Sequence, residues 1–454
     1  MRRIICVILT ILIFLSIAGC KNSKPEIVNP VQLYFCRADT AFQDADGLIA
    51  AEQWEFVGWE NQVREFLNEY LNGPISTELI SPFPAGGWIV ELSQKDSTVD
   101  ILYNAPDVEL VALYGPEHGV RGDVYAGGQV VDTKDESTGL PVYSIYGSTR
   151  KPTPEMLEGI DVMVYDIQDV GVRSYTYIST LGLVMEACGE KGIEVMVLDR
   201  PNPLGGNKIE GCYVESGFHS FVSQYRIPYV YGLTPGEVAL LINGEGLNRG
   251  QKGDQEPAKC KLTVIPMEGW NRDMLYEDTG LPWVLPSPNI PFKDSPMYYA
   301  ASGICGELYG FMNIGVGYTL PFQVFGATWL DPVNLIEKLE SYELEGVSFR
   351  TIWFKPIAGS QKGELVGGVQ FFFTAYEKAR ITEVQFYVMQ AVAELHPDKK
   401  AFEVISGYGL FDKVCGTDYV RTTFSKGYKV ADIIDYWRKD EASFRELSQK
   451  YHIY

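Results

Sequence analysis

Histidine is scarce in this chain, with four in 454 residues, and only His118 lies inside a motif. A zinc centre built on imidazoles therefore has little to draw on. Basic residues are also outnumbered: 38 Lys and Arg face 59 Asp and Glu, for a formal net charge of −21. Phosphate backbones are bound by Lys/Arg clusters, and no basic stripe is present, so nucleic acid is not an expected partner. Nucleotide signatures are missing too. No GxGxxG follows an expected strand and no GxxxxGK[ST] occurs, which argues against a dinucleotide site and a P-loop. A GxSxG elbow for a serine nucleophile is absent as well. No cofactor is expected. The eight cysteines are scattered without CxxC spacing, so most are expected to be buried thiols rather than metal ligands. Beyond residue 20, no run is long and apolar enough to span a bilayer.

What is present begins with the leader. Arg2-Arg3 is a positive start, residues 4–17 are apolar, and Ile17-Ala18-Gly19-Cys20 follows. This resembles a bacterial lipoprotein processing site, which predicts a signal peptide over 1–20, lipidation of Cys20 and a solvated tether over 21–31. The expected location is the cell envelope, in the periplasm or outer membrane, with Cys20 as the anchor. A hydrophobic content of 46% over this length allows two or three domains.

From residue 108 the pattern becomes regular. Three Val-rich runs, 111–114, 162–165 and 195–198, each end in charged and turn residues. Such runs are expected to be fully buried strands of one parallel sheet. Thr153-Pro154-Glu155 and Thr234-Pro235-Gly236-Glu237 have the cap-plus-proline form of helix starts, and 177–190 carries one apolar face closed by Gly192. Residues 250–259 form the best linker. Beyond it, strands are expected at 262–265, 347–353 and 366–374, and helices at 331–339, 383–395 and 430–450. The fold class predicted is α/β: a Rossmann-like parallel-sheet domain over 32–250, with an atypical N-terminal segment, followed by a smaller α+β auxiliary domain over 258–454.

Open α/β sheets place ligands beyond the carboxyl ends of their strands. The three runs end in Glu117-His118, in Asp166, Asp169 and Arg173, and in Asp199-Arg200. Glu and His both serve as acid or base. Each group alone is equally well explained by a helix cap or a salt-bridge network. Together they outline an active site in which Arg121, Arg173 and Arg200 suit a carboxylate-bearing substrate. Tyr175, Tyr177, Trp270 and Trp283 are candidates for stacking on sugar faces, or for ordinary core packing. A carboxylate metal site from Asp166, Asp169 and Asp199 is a remaining alternative.

The motifs in order are Gly115-Pro116-Glu117-His118-Gly119, Thr138-Gly139-Leu140-Pro141-Val142-Tyr143-Ser144 and Asp166-Ile167-Gln168-Asp169-Val170-Gly171. Arg173, Tyr175-Thr176-Tyr177 and Leu198-Asp199-Arg200-Pro201-Asn202-Pro203 follow. Further on come Gly232-Leu233-Thr234-Pro235-Gly236-Glu237, Gly280-Leu281-Pro282-Trp283 and Pro286-Ser287-Pro288-Asn289-Ile290-Pro291. This set resembles the bacterial exo-β-N-acetylmuramidase family of NamZ-type glycoside hydrolases, over roughly residues 88–454. The resemblance implies a site between a Rossmann-like domain and a smaller one. It also implies release of N-acetylmuramic acid from non-reducing ends of peptidoglycan fragments, with Glu117 as the catalytic acid. His118 and Asp169 join it as catalytic candidates. Arg121, Asp166, Arg173, Tyr175, Asp199, Arg200, Asn202 and Glu307 are the substrate-binding candidates. The second catalytic group stays open among Asp169, Asp199, Glu307 and the substrate's own 2-acetamido group.

The chain departs from the family pattern in three places. Its first strand is Trp88-Ile89-Val90-Glu91-Leu92-Ser93-Gln94, Tyr231 stands where a His is often found, and residues 308–319 lack an expected Arg. These changes bear on which sugar is taken. The rival expectation is a non-catalytic lipoprotein that binds muropeptides at the same place.

Overall fold

The computed structural model describes residues 97–120, 122, 124–246, 259–359 and 361–454. Cys20, the expected tether, the strand at 88–94, Arg121 and most of the 250–259 linker lie outside the described residues.

A short helix α1 (Thr98–Asn104) leads into three small sheets. The first holds β1 (Leu113–Gly115), β2 (Thr133–Lys134) and β3 (Pro141–Ser144), with β3 in the middle. β1 and β3 run parallel, so that Gly115 lies opposite Ser144, and β2 is antiparallel to β3. The second sheet is all parallel, with β4 (Val162–Tyr165), β5 (Glu194–Leu198) and β6 (Lys261–Ile265) side by side in that order. Its crossovers are α2 (Tyr177–Lys191) and α3 (Pro235–Glu245).

Both crossover helices stop and start as their sequences dictate. Gly192 and Gly246 adopt the left-handed conformation that caps a helix end. At the start of α3 the Thr234 hydroxyl accepts from the Glu237 N–H while Glu237 reaches back to the Thr234 N–H, a closed capping box.

Four expectations are corrected. The 111–114 run does not join the other two: β1 pairs with β3 in a separate sheet. The runs are not buried on both faces either, since Val162 and Val164 are exposed and burial alternates along β4 and β5. One face of this sheet is packed by helices, which gives period-two burial rather than a continuous apolar interior. The strand beyond the linker, β6, adds to the parallel sheet instead of starting a new layer. Thr153-Pro154-Glu155 begins only a series of turns, because Gly159 turns left-handed (φ 76°) before a helix can propagate.

The third sheet is antiparallel, with β7 (Val324–Ala327), β8 (Val347–Phe354) and β9 (Val366–Phe373) in the order β7-β9-β8. Around it lie α4 (Ser295–Gly306), α5 (Pro332–Glu340) and α6 (Val384–Leu395). The helix expected over 430–450 is instead broken into short pieces, Ile434–Arg438 and Glu441–Ser448 among them. The break lets Trp437 enter one hydrophobic core and Phe444 another, whereas residues seven apart on one straight helix share a face.

The larger core joins the two halves of the chain. Val170, Val172, Cys212 and Tyr229 pack in one cluster with Ile304, Phe325, Phe386 and Trp437. Five cysteines are described (Cys188, Cys212, Cys260, Cys305 and Cys415), all buried and unbridged. No helix among the described residues is long and apolar enough to cross a membrane. The architecture is thus mixed α/β, with one all-parallel sheet.

Candidate active site

The register of the first sheet sets the site. Gly115 and Ser144 are paired at the carboxyl ends of β1 and β3, so Glu117 and Tyr146, each two residues further on, come together. The Tyr146 hydroxyl donates to Glu117 Oε1 at 2.9 Å, and the Gly127 N–H donates to the same oxygen at 3.2 Å. Glu117 Oε2 accepts from Thr176 Oγ1 at 2.6 Å. Thr176 precedes α2 and its side chain makes no capping bond, which leaves the hydroxyl to the carboxylate. Glu117 is therefore fixed by three donors from three separate segments.

His118 is held at φ 74°, a left-handed conformation that costs a non-glycine residue energy and gathers at functional sites. Its carbonyl accepts from the Val124 N–H at 3.1 Å, and its Nδ1 is 2.8 Å from the Val124 carbonyl oxygen. A carbonyl only accepts, so Nδ1 carries a proton. The ring is buried, stacked on Tyr175 with centroids 5.9 Å apart and set against the edge of Tyr177 at 6.1 Å.

Glu307 approaches from the other half of the chain. On α4, Tyr299 and Gly303 are one turn apart, and Glu307 continues the same face one turn later. That face meets the segment that carries Thr176. The Tyr299 hydroxyl is 2.9 Å from Ser174 Oγ, the Tyr299 ring is edge-on to Tyr175 at 5.8 Å, and a Cβ on Gly303 would sit 3.3 Å from the Tyr229 hydroxyl. The carboxyl of half-buried Glu307 makes no hydrogen bond among the described residues, and burial together with the nearby Glu117 charge pushes it up to about 7. A carboxyl at that value still holds its proton in half of the molecules at neutral pH.

The remaining sequence candidates are placed elsewhere or are already occupied. Asp166 forms a two-point ion pair with Arg200 across the ends of β4 and β5. Asp199 accepts from Thr234 Oγ1 (2.7 Å), Gly236 N–H (2.7 Å), Arg200 N–H (2.9 Å) and the Tyr454 hydroxyl (2.9 Å), so it secures the start of α3. Asn202 is buried, bonded to the Leu233 carbonyl and the Leu204 N–H, and shapes its own turn. Asp169 is buried too. Its Oδ2 accepts from Tyr231 and from the Gly171 N–H, its Oδ1 has no partner among the described residues, and burial pushes it up to about 6.

Arg173 is the clearest correction. It is 0% exposed, and its guanidinium donates to Ser223 Oγ and to the carbonyls of Cys212, Ile227, Val414 and Cys415. No donor remains for a sugar. Trp270 is buried against Tyr454, and Trp283 donates to the Ile290 carbonyl and packs on Tyr276, so neither offers an open stacking face. Tyr175 and Tyr177 likewise form the wall behind His118. The three aspartates proposed as metal ligands are spent on separate partners. Among the described residues no three His, Cys, Asp or Glu side chains group to hold an ion.

Thr176 and Tyr146 were not among the sequence candidates. Thr176 lay within a quoted motif, where a hydroxyl between two tyrosines at a helix start was the available signal. Tyr146 had none, because its role depends on the β1–β3 register.

Two carboxyls raised by burial make stability depend on pH. The folded state keeps protons on Glu307 and Asp169 that the unfolded chain has released, so their contribution is complete below about pH 4 and is lost as pH rises through about 6 and about 7. The melting temperature is accordingly expected to fall between pH 5 and pH 7.5. Glu307→Gln, which cannot titrate, should reduce that fall by about 2 °C in thermal scans across a pH series. An unchanged pH profile would count against a raised Glu307.

Two glutamates, one fixed by three donors and the other raised by burial and by the charge of the first, suit a hydrolase of the glycosidase class. The family model described as exo-beta-N-acetylmuramidase NamZ, N-terminal, matches residues 89–294, and the corresponding C-terminal model matches residues 297–454. The chain belongs to the NamZ exo-β-N-acetylmuramidase family and has its two-domain architecture. It is 44% identical over 371 residues to the peptidoglycan beta-N-acetylmuramidase NamZ of Bacillus subtilis (strain 168), covering 82% of this chain and 85% of that protein. Two solved structures of DUF1343 family proteins from Bacteroides fragilis NCTC 9343 are similar. One is 52% identical with a TM-score of 0.74, covering 80% of this chain and 90% of that one. The other is 28% identical with a TM-score of 0.60, covering 79% and 90%.

Proposed function

We propose that the protein is a cell-envelope glycosidase that removes N-acetylmuramic acid from the non-reducing ends of peptidoglycan fragments. The observation that carries this reading is the pairing of Glu117, gripped by Tyr146, Gly127 and Thr176, with the uncommitted Glu307. Glycoside hydrolysis needs one group to give a proton and another to take one. Glu307 retains its proton near neutrality and gives it to the glycosidic oxygen as the C–O bond breaks and its electrons pass to that oxygen. Water forms the new bond to the anomeric carbon and loses a proton to Glu117, and exchange with solvent restores both groups. The family resemblance implies Glu117 as the acid; the three donors on its carboxylate and the raised Glu307 support the reverse assignment, with Glu307 as donor. Asp199 and Asp169, the other side chains considered for the second group, are already bound within the fold.

The reading extends to location and organisation. The leader sequence supports export and lipid anchoring at Cys20, with 21–31 as tether. The parallel strands support a Rossmann-like catalytic domain that runs past the expected boundary at 250 to take in β6, and the antiparallel sheet supports an auxiliary domain after it.

The test is to incubate protein lacking residues 1–20 with a chromogenic N-acetylmuramide and with its N-acetylglucosaminide counterpart, with and without EDTA. Turnover of the muramide that is insensitive to EDTA is expected. Binding without turnover would overturn the reading in favour of a muropeptide-binding lipoprotein. In cells, the full chain should partition with membranes and Cys20→Ala with the soluble fraction.

A further inference from the structure

We infer that Arg150 is the residue that grips the substrate's carboxylate and so sets the preference for a sugar bearing an acidic ether. The inference rests on the muramidase reading above.

The described guanidiniums are mostly committed. Arg200, Arg272, Arg380, Arg421 and Arg438 each pair with a carboxylate, and Arg173 is spent on backbone carbonyls and Ser223. Arg150 is exposed and has no acceptor among the described residues, in a chain carrying 59 acidic side chains. It is not loose. Its Cζ lies 4.3 Å from the ring centroid of Phe221 and 5.7 Å from that of Tyr146, and those two rings are 6.0 Å apart. A guanidinium lying over aromatic faces keeps its in-plane N–H groups at the edge, which is the geometry that binds a carboxylate at two points.

The location connects this cation to the chemistry. Tyr146 is the ring beside Arg150, and its hydroxyl donates to Glu117 at 2.9 Å. One aromatic ring thus separates the cation from the catalytic carboxylate. In the inferred pose the anomeric carbon lies at Glu117 and the carboxyl-bearing arm reaches past Tyr146 to Arg150. The loop is anchored at its root, where Ser144 Oγ donates to the Val130 carbonyl at 2.6 Å and lies 3.0 Å from the Tyr146 carbonyl. Arg121, which the sequence nominated for this task, lies outside the described residues.

The experiment compares two chromogenic N-acetylmuramides, one with the free lactyl carboxylate and one with its neutral methyl ester, on wild type, Arg150→Met and Arg150→Lys. Methionine keeps the apolar stem on Phe221 and removes the charge. Arg150→Met is expected to raise KM for the free acid by about 10- to 100-fold, the loss of a charge-assisted two-point contact, with kcat within about twofold. KM for the ester should stay unchanged, and Arg150→Lys should recover part of the loss for the acid alone. If Arg150→Met keeps the wild-type ratio of acid to ester, the assignment is overturned while the muramidase reading stands. A wild-type protein that cleaves neither substrate overturns the underlying reading instead.

Discussion

Glu117→Gln is expected to lower kcat on an N-acetylmuramide by about a thousandfold, with KM changed by less than about threefold. Glutamine has nearly the shape of glutamate, and its amide oxygen can still accept from the Tyr146 hydroxyl and the Gly127 N–H. The amide nitrogen then faces Thr176, whose hydroxyl can turn from donor to acceptor. Packing and hydrogen bonding survive, and what is lost is an oxygen able to take a proton from water. His118 stands beside Glu117 in sequence but is fixed by its own bond to Val124 and by the tyrosine wall, so it is not positioned to stand in. Steady-state kinetics on the muramide, with a thermal melt showing an unshifted midpoint, is the measurement. Turnover near the wild-type rate would remove Glu117 from the chemistry and with it the two-carboxylate scheme.

The second large effect concerns folding. Arg173→Met is expected to destabilise the protein by about 3–5 kcal/mol, enough to depress soluble yield and the denaturation midpoint together. The guanidinium is a buried cation with no carboxylate beside it among the described residues. Its charge is balanced by four backbone carbonyl oxygens and Ser223, drawn from positions 212, 227, 414 and 415. Burial lowers its pKa, yet an arginine keeps its proton, so the carbonyl cage is obligatory. Methionine fills much of the volume but leaves those oxygens without donors. Arg173→Lys should fail almost as badly, since three donors on a compact head cannot reach acceptors spread around a planar fork. Neighbouring Gly416, at φ 78°, leaves no room to adjust: a Cβ there would lie 3.0 Å from the guanidinium. Urea denaturation of both variants against wild type tests this, and midpoints within error of wild type would show the cage to be dispensable.

These two residues mark the limit of what was legible beforehand. Elements governed by neighbours in sequence could be read directly, such as the Thr234 capping box, Gly192 at the end of α2, and β8 and β9. Sheet membership could not. A Val-rich run carries no label for its partner, so β1 was expected beside β4 and β5 but pairs with β3. The acids do lie just beyond strand ends, yet their jobs depend on how many donors reach each one, and those donors come from far away. Tyr454 is 255 residues from Asp199, Thr176 is 59 from Glu117, and Tyr231 is 62 from Asp169. Arg173 misled for a similar reason. Arginine is seldom fully buried, and nothing local announces the carbonyls that make its burial tolerable.

The core that runs from Val170 and Tyr229 to Phe386 and Trp437 bears on how such proteins can diversify. The family is recognised as two consecutive segments that meet between residues 294 and 297, but residues 98–454 form one compact unit. A segment borrowed from a relative would arrive with half a core cut to another partner's shape. It would also lack the carbonyls at 414 and 415 that Arg173 requires. In this chain the two segments therefore depend on each other for a shared core. Arg150, on the loop beyond β3, is exposed and lies outside that core, resting on Phe221 and Tyr146.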